Sequence, residues 1–311
     1  MRLKGAHKLN AEFVTPSQRK QALFKGDDER LAGAQQKRIK TAFGHVNVTI
    51  GGNESGPVMV LWPSAMMQGS MLSYQYQHFA SKYRVVLVDP PGVGKSDPLR
   101  KQITIEDSAE VVINILDALG IKKCILGGNS WGAMLAAVFP AWYPERVIAA
   151  IVVNGTASPP DTAETVRISI GSTLLYMNGT MPKWWVGFAK AGFAGDTATE
   201  SNPEFMDYLN CVSYDDPKSI SFQLQGIILN RVDRHDLLRT IKNLPVLVIA
   251  GEEDRQFAVY ISRKLANAIA GSTFVVLPET AHLAARERPE LVNPVIEKFL
   301  DQLPSHADLH A

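Results

Sequence analysis

The sequence predicts an α/β protein, a mostly parallel sheet with helices on both faces and a helical insertion. Three observations predict it. Short, continuous runs of β-branched and aliphatic residues recur along the chain, and helix-length patterns separate them. At one junction from run to helix a serine stands between two glycines. Runs of this kind suit strands buried on both faces, and strand–helix–strand repetition gives right-handed crossovers.

The bulk properties agree with such a sheet. At 311 residues the chain can hold it as one unit, and 46% hydrophobic against 20% charged residues is enough for a large core. No apolar stretch nears the ~18 residues of a spanning helix. The charged first 30 residues lack the apolar segment of a secretory signal, so a cytoplasmic setting is expected. Cys124 and Cys211 are too few for a disulfide framework or a cysteine-rich metal site. A formal net charge of +1 argues against a nucleic-acid partner.

Residues 1–40 carry ten Lys/Arg and four acids, net +6, leaving −5 for the remainder. Residues 1–35 are therefore read as a basic N-terminal extension. Poor apolar spacing describes a solvated arm. Its charge would also suit peripheral contact with an anionic membrane or with an acyl carrier protein.

The elements follow in order. Val46, Val48 and Ile50 alternate with polar residues, a half-buried strand closed by Gly51-Gly52. Further strands are expected at Val58–Trp62, Val85–Val88, Cys124–Leu126, Val147–Val153, Val246–Ala250 and Phe274–Leu277. Ala109, Val112, Ile115, Leu116 and Leu119 fall at helical spacing, with Thr104 placed to cap that helix and Gly120 to close it. Between Asn154 and Leu244 the strand runs stop and aromatic residues accumulate. Residues 156–237 thus read as a helical cap, residues 36–155 and 238–303 as the core, and 304–311 as a tail. Ordinary helices covering the sheet are the alternative to a cap.

Gly128-Asn129-Ser130-Trp131-Gly132 lies directly between the run ending at Leu126-Gly127 and a helical pattern. A serine in so sharp a strand-to-helix turn exposes its Oγ, and the positions two before and two after must lack bulk. The helix N-terminus behind it favours an oxyanion. Serine needs a base. Of seven histidines, His282 alone follows the last strand on a loop at its C-terminal end, the edge where open α/β sheets bind ligands. Asp254, past the end of Leu247–Ala250, is placed to orient that base, with Glu252 and Glu253 as its neighbours. The chain order Ser130, Asp254, His282 matches one known arrangement of this triad.

On these residues, from about Gln36 to Leu303, the chain resembles the α/β-hydrolase fold family. Asp89-Pro90-Pro91-Gly92-Val93-Gly94-Lys95-Ser96-Asp97 is similar to that family's D-x-x-G-x-G-x-S loop after the fourth strand. The resemblance implies an eight-stranded sheet, a Ser130–His282–Asp254 triad, a cap after the sixth strand, and no metal or organic cofactor. It also implies an oxyanion hole from the N–H groups of Trp131 and Ala65. The sequence departs from the family there, because Ser64 stands in Pro63-Ser64-Ala65 where His-Gly is usual.

Two motifs fail on inspection. Gly94-Lys95-Ser96 ends like a P-loop, but Asp89 would repel phosphate and Pro90-Pro91 lacks the N–H donors. Gly92-Val93-Gly94 has no third glycine at Asp97, so it is no dinucleotide fingerprint. The N-x-[ST] matches at Asn47, Asn53, Asn154 and Asn178 carry little weight without a secretory signal.

Such a site transfers acyl groups. Met66, Met67, Trp184, Trp185 and Phe188, with Trp131, suggest an apolar pocket for a small-molecule acyl substrate. No cluster of arginines for a dianionic substrate is evident. The expected function is hydrolysis of a carboxylic ester, lactone or thioester. The Ser-Trp-Gly elbow and Ala65-Met66 are also similar to hydroxyacyl transferases that draw on acyl carrier protein or CoA. A proline-iminopeptidase-like peptidase and a non-catalytic binding protein on the same scaffold complete the readings. The filled triad positions argue against the last.

Overall fold

A computed structural model describes residues 26–180, 183–211 and 216–303, apart from the side chains of Lys183, Trp184, Phe188 and Cys211. Most of the basic extension and the 304–311 tail lie outside the described residues. The seven strands expected by residue, with one more, form one eight-stranded sheet, β1 (Gln35–Thr41), β2 (Gly44–Gly52), β3 (Val58–Trp62), β4 (Arg84–Val88), β5 (Cys124–Asn129), β6 (Val147–Val153), β7 (Val246–Gly251) and β8 (Thr273–Leu277). Their spatial order is β1-β2-β4-β3-β5-β6-β7-β8. β2 pairs antiparallel with β1 and β4, and the remaining pairs are parallel.

The helices are α1 (Ser73–Phe79), α2 (Ile105–Ala118), α3 (Trp131–Trp142), α4 (Thr162–Asn178), α5 (Lys183–Phe193), α6 (Asp196–Ser201), α7 (Pro203–Cys211), α8 (Pro217–Leu224), α9 (His235–Leu238), α10 (Val259–Ala268), α11 (Ala284–Glu287) and α12 (Pro289–Leu300). α4 to α8 fall within the insertion between β6 and β7, and α9 straddles its expected boundary at residue 237. Thr104 caps α2 as the spacing predicts, its Oγ1 accepting from the Asp107 N–H while Asp107 accepts from the Thr104 N–H.

β5, β6 and β7 are buried along their whole length, because both faces carry helices. One layer of core joins Val152, Val248 and Leu126 to α2 and α3; the other joins Ile125, Ile151 and Ile249 to α1 and α12. No helix among the described residues is long and apolar enough to cross a membrane.

Two features differ from the sequence reading. β1 was not expected as a strand, because four of its first residues are exposed and charged or polar, the dress of an edge. The extension was read as solvated through residue 35, yet from Gly26 the chain packs on the core. Asp27 is 2% exposed. Its carboxylate accepts from Arg286 (2.6 Å), Arg30 (2.7 Å) and the Ser73 hydroxyl (2.7 Å). Asp27 opens the run Asp27-Asp28-Glu29, and nothing in that run marks which acid a buried partner will claim.

Asp89 shows why the loop after β4 has its composition. Its carboxylate accepts from Asn47 Nδ2 (2.9 Å) and from the N–H groups of Gly69 (2.8 Å) and Lys95 (3.0 Å). Gly94 has φ 59°, and a Cβ there would collide with the Asp89 carboxylate. The loop closes on an aspartate, where a phosphate cradle would need the reverse charge.

Candidate active site

The site lies at the C-terminal ends of β3, β5, β7 and β8. Ser130 follows β5 with φ 56° and ψ −104°, in the strained left-handed region. Its N–H donates to the Val153 carbonyl at 3.0 Å, which anchors the turn to β6. A Cβ at Gly128 or Gly132 would collide with the Trp62 carbonyl oxygen at the end of β3. The two glycines are therefore required by the neighbouring strand as much as by the turn itself. Gly132 N–H donates to the Pro63 carbonyl at 3.2 Å, fixing the loop after β3 to the start of α3.

Ser130, His282 and Asp254 are brought together. His282 Nε2 lies 2.9 Å from Ser130 Oγ, and Nδ1 lies 2.9 and 3.0 Å from the two Asp254 oxygens. An Nδ1–H donated to the carboxylate leaves the Nε2 lone pair facing the serine O–H. Asp254 Oδ1 also accepts from the N–H groups of Gln256 (2.8 Å) and Phe257 (2.9 Å), which fixes its orientation. The His282 and Asp254 side chains are 2% and 0% exposed. Phe193 stacks on the imidazole at 5.7 Å and Phe257 meets it edge-on at 5.2 Å, so an insertion helix and the loop after β7 both shield it.

Trp131 and Ala65 line one cavity with Ser130, and neither N–H donates to a backbone acceptor among the described residues. Ser64 is accommodated without left-handed backbone. It is 1% exposed, and its Oγ donates to the Asn129 carbonyl at 3.3 Å. The strain falls on Met66 instead, at φ 67°. The Met66 N–H donates to Gln223 Oε1 (3.1 Å), while Gln223 Nε2 donates to the Pro91 carbonyl (2.7 Å). Thus α8 of the insertion holds the loop in place.

The cavity encloses about 60 Å³. Met66 and Trp185 line it as expected. Met67 does not; it packs with Met71 and Leu283 in a separate cluster, and its sulfur accepts from the Tyr208 hydroxyl at 3.5 Å. Neighbouring loop residues point opposite ways, which the run Met66-Met67 could not reveal. The side chains of Trp184 and Phe188 lie outside the described residues. The walls are otherwise supplied by residues that the sequence reading missed, among them Met134, Ile168, Phe193 and Leu224. Arg167 and Arg231, 64 positions apart in the sequence, also line the cavity.

Asn129 and Asn154 were not recognised either. Both donate to the His282 carbonyl, at 2.8 and 2.9 Å, and Asn154 also donates to the Ala281 carbonyl at 2.7 Å. Their positions at the ends of β5 and β6 were the available signal. Burial pushes the Glu287 carboxyl up to about 7, although its Oε2 accepts the Ala281 N–H at 2.9 Å. Cys124 is buried, and desolvation pushes its thiol up to about 12, which makes it inert as a nucleophile.

A family model described as alpha/beta hydrolase fold matches residues 69–289. Over 226 residues the chain is 30% identical to a 2-hydroxy-6-oxononadienedioate/2-hydroxy-6-oxononatrienedioate hydrolase of Paraburkholderia phymatum, covering 71% of this chain and 77% of that protein. It is 34% identical over 119 residues to epoxide hydrolase 4 of Homo sapiens, covering 38% of this chain and 33% of that protein, about a third of its length. A thermophilic esterase from Thermogutta terrifontis, solved with malate bound, superposes with a TM-score of 0.78 at 23% identity, over 88% of this chain and 100% of that one.

Proposed function

The chain belongs to the α/β-hydrolase fold family, and from that footing we propose that it is a serine hydrolase cleaving a carboxylic ester, lactone or thioester. The observation that carries this is the 2.9 Å approach of Ser130 Oγ to His282 Nε2, with Asp254 behind the ring. Ser130 attacks the carbonyl as its proton passes to His282. Asp254 holds the resulting imidazolium, and His282 then protonates the leaving group. The N–H groups of Trp131 and Ala65 receive the oxyanion, at the helix N-terminus where negative charge is favoured. Water repeats the sequence on the acyl-enzyme. The insertion acts as a cap, a reading supported by Phe193 over His282 and Gln223 on the oxyanion loop.

Water as acceptor is supported by the relative named as a dioate hydrolase. An acyl carrier protein, as donor, would call on basic residues outside the described part of the chain. A fluorophosphonate probe and an ester series from acetyl to dodecanoyl test the reading. Labelling and turnover should both vanish in Ser130→Ala, and labelling that survives would sink it. Turnover only on addition of an alcohol would replace hydrolysis by transfer.

A further inference from the structure

Glycine in the interior of a helix is less stable than alanine, so a buried one there needs a reason. Gly171 sits in the middle of α4 and is buried. The reason is Trp185 of α5. A Cβ on Gly171 would collide with Nε1, Cε2 and Cζ2 of the indole. The ring is therefore seated on bare helix backbone. Its Nε1–H donates to the Arg167 carbonyl at 3.3 Å, the oxygen one turn back that also accepts the Gly171 N–H in a regular helix. Leu175 and Ile220 belong to the same apolar cluster, and Trp185 is 3% exposed. A hydrogen bond, a helix surface and aliphatic neighbours together leave the indole one position.

Trp185 lines the cavity beside Ser130, and Gly171 does not. The indole thus stands between α4 and the cavity, and the glycine sets how far back that wall lies. Ile168 and Leu224 continue the wall on either helix of the insertion, so the space beside the ring suits an aliphatic chain. That space is small. A cavity of about 150 Å³ holds a benzene ring, so one of about 60 Å³ takes about two or three carbon atoms.

We propose that the cavity receives a short aliphatic acyl chain, acetyl to butanoyl, and that Trp185, seated on Gly171, fixes that limit. This rests on the reading of Ser130 as nucleophile, and it deepens that reading by naming the acyl class. Each methylene that fits buries apolar surface and strengthens binding. The first that does not fit must lift the indole off its seat, and overpacking then opposes the longer chain.

Ethyl esters from acetate to dodecanoate, with the alcohol held constant, read the limit in kcat/KM. Wild type should peak at butanoate or shorter and lose about 10- to 100-fold by octanoate. Trp185→Ala should move the optimum to longer chains and raise the octanoate-to-butanoate ratio by at least about tenfold. Trp185→Phe, a smaller ring without the N–H, should shift the ratio the same way and serves if alanine there prevents folding. Gly171→Ala sets a methyl group against the ring and advances the wall, so it should cut butanoate about tenfold relative to acetate. The rate at which alkyl fluorophosphonates of the same chain lengths label Ser130 reads the same limit without turnover. An optimum longer than butanoate, or a chain-length profile unmoved in the Trp185 and Gly171 variants, would overturn the proposal. Ser130-dependent turnover would in that case leave the hydrolase reading standing. Neither turnover nor labelling with any chain length would overturn both.

Discussion

Asn154 holds His282 by its backbone. The amide closes β6 at φ 53°, donates to the carbonyls of Ala281 and His282 at 2.7 and 2.9 Å, and accepts the Gly251 N–H at 2.7 Å. One fully buried side chain thereby ties the ends of β6 and β7 to the loop after β8. Asn129 adds a second donor to the same His282 carbonyl from beside Ser130. The distance between Ser130 and His282 is set by these amides as much as by the two residues.

Asn154→Asp would aim carboxylate oxygen at two carbonyls, and Asn154→Ala would leave buried groups unpaired at about 1–3 kcal/mol. Both variants should lose kcat by at least about tenfold, since small displacements of a base weaken catalysis strongly. Urea denaturation and ester turnover measure the two effects. Wild-type turnover in Asn154→Asp would refute this role.

The elbow makes a steric prediction. Gly132→Ala places a Cβ on the Trp62 carbonyl and should destabilise by about 1–3 kcal/mol through overpacking, while displacing the loop that carries Ala65. Gly187→Ala supplies the contrast. Nothing lies within 4 Å of a Cβ there, and alanine in the interior of α5 should add about 0.5–1 kcal/mol. Thermal melts of both variants, compared at one pH, check the opposite signs.

Asp27 and Arg286 form a buried pair, with side chains 3% and 2% exposed, and the guanidinium lies over the rings of Tyr208 and Tyr74. Removing one partner strands the other charge. Asp27→Ala should therefore destabilise by about 3–5 kcal/mol, and deletion through Arg30 by at least as much. Asp27→Leu combined with Arg286→Met should lose less than the sum of the single changes. Additive losses in that cycle would show that the pair does not act as a unit.

Glu287 predicts a pH dependence of stability. Burial raises its carboxyl to about 7, so the folded protein keeps a proton that the unfolded chain releases near 4.5. Between those values the folded state binds more protons, and stability falls as pH rises, by up to about 3 kcal/mol from this group. Glu287→Gln keeps an acceptor for the Ala281 N–H and removes the titration. Its urea midpoint should be flatter than wild type between about pH 5 and about pH 8. Parallel profiles would contradict the assignment.

Much of the fold could be read from the residues, because burial on both faces leaves unbroken runs such as Val147–Val153 and because a serine elbow demands Gly128 and Gly132. That Ser130, Asp254 and His282 come together was legible for the same reason: each follows a recognisable strand end. β1 was not, since an edge strand is selected for exposed charge. Met67 was misread because adjacent residues in a loop have no period to tell which one faces the cavity.

The sequence by itself determined the strand set, the junction that exposes Ser130 and the chain order of the three candidate residues, all of them local or periodic signals. Tertiary structure alone decided which side chains meet. Arg167 and Arg231 share a cavity, Asp27 finds Arg286, and Asn154 finds His282 across 128 positions. Polar partners carry no periodicity, and a lone acid or amide looks the same whether it faces water or a buried mate. Only packing, which removes the water, makes each of them choose.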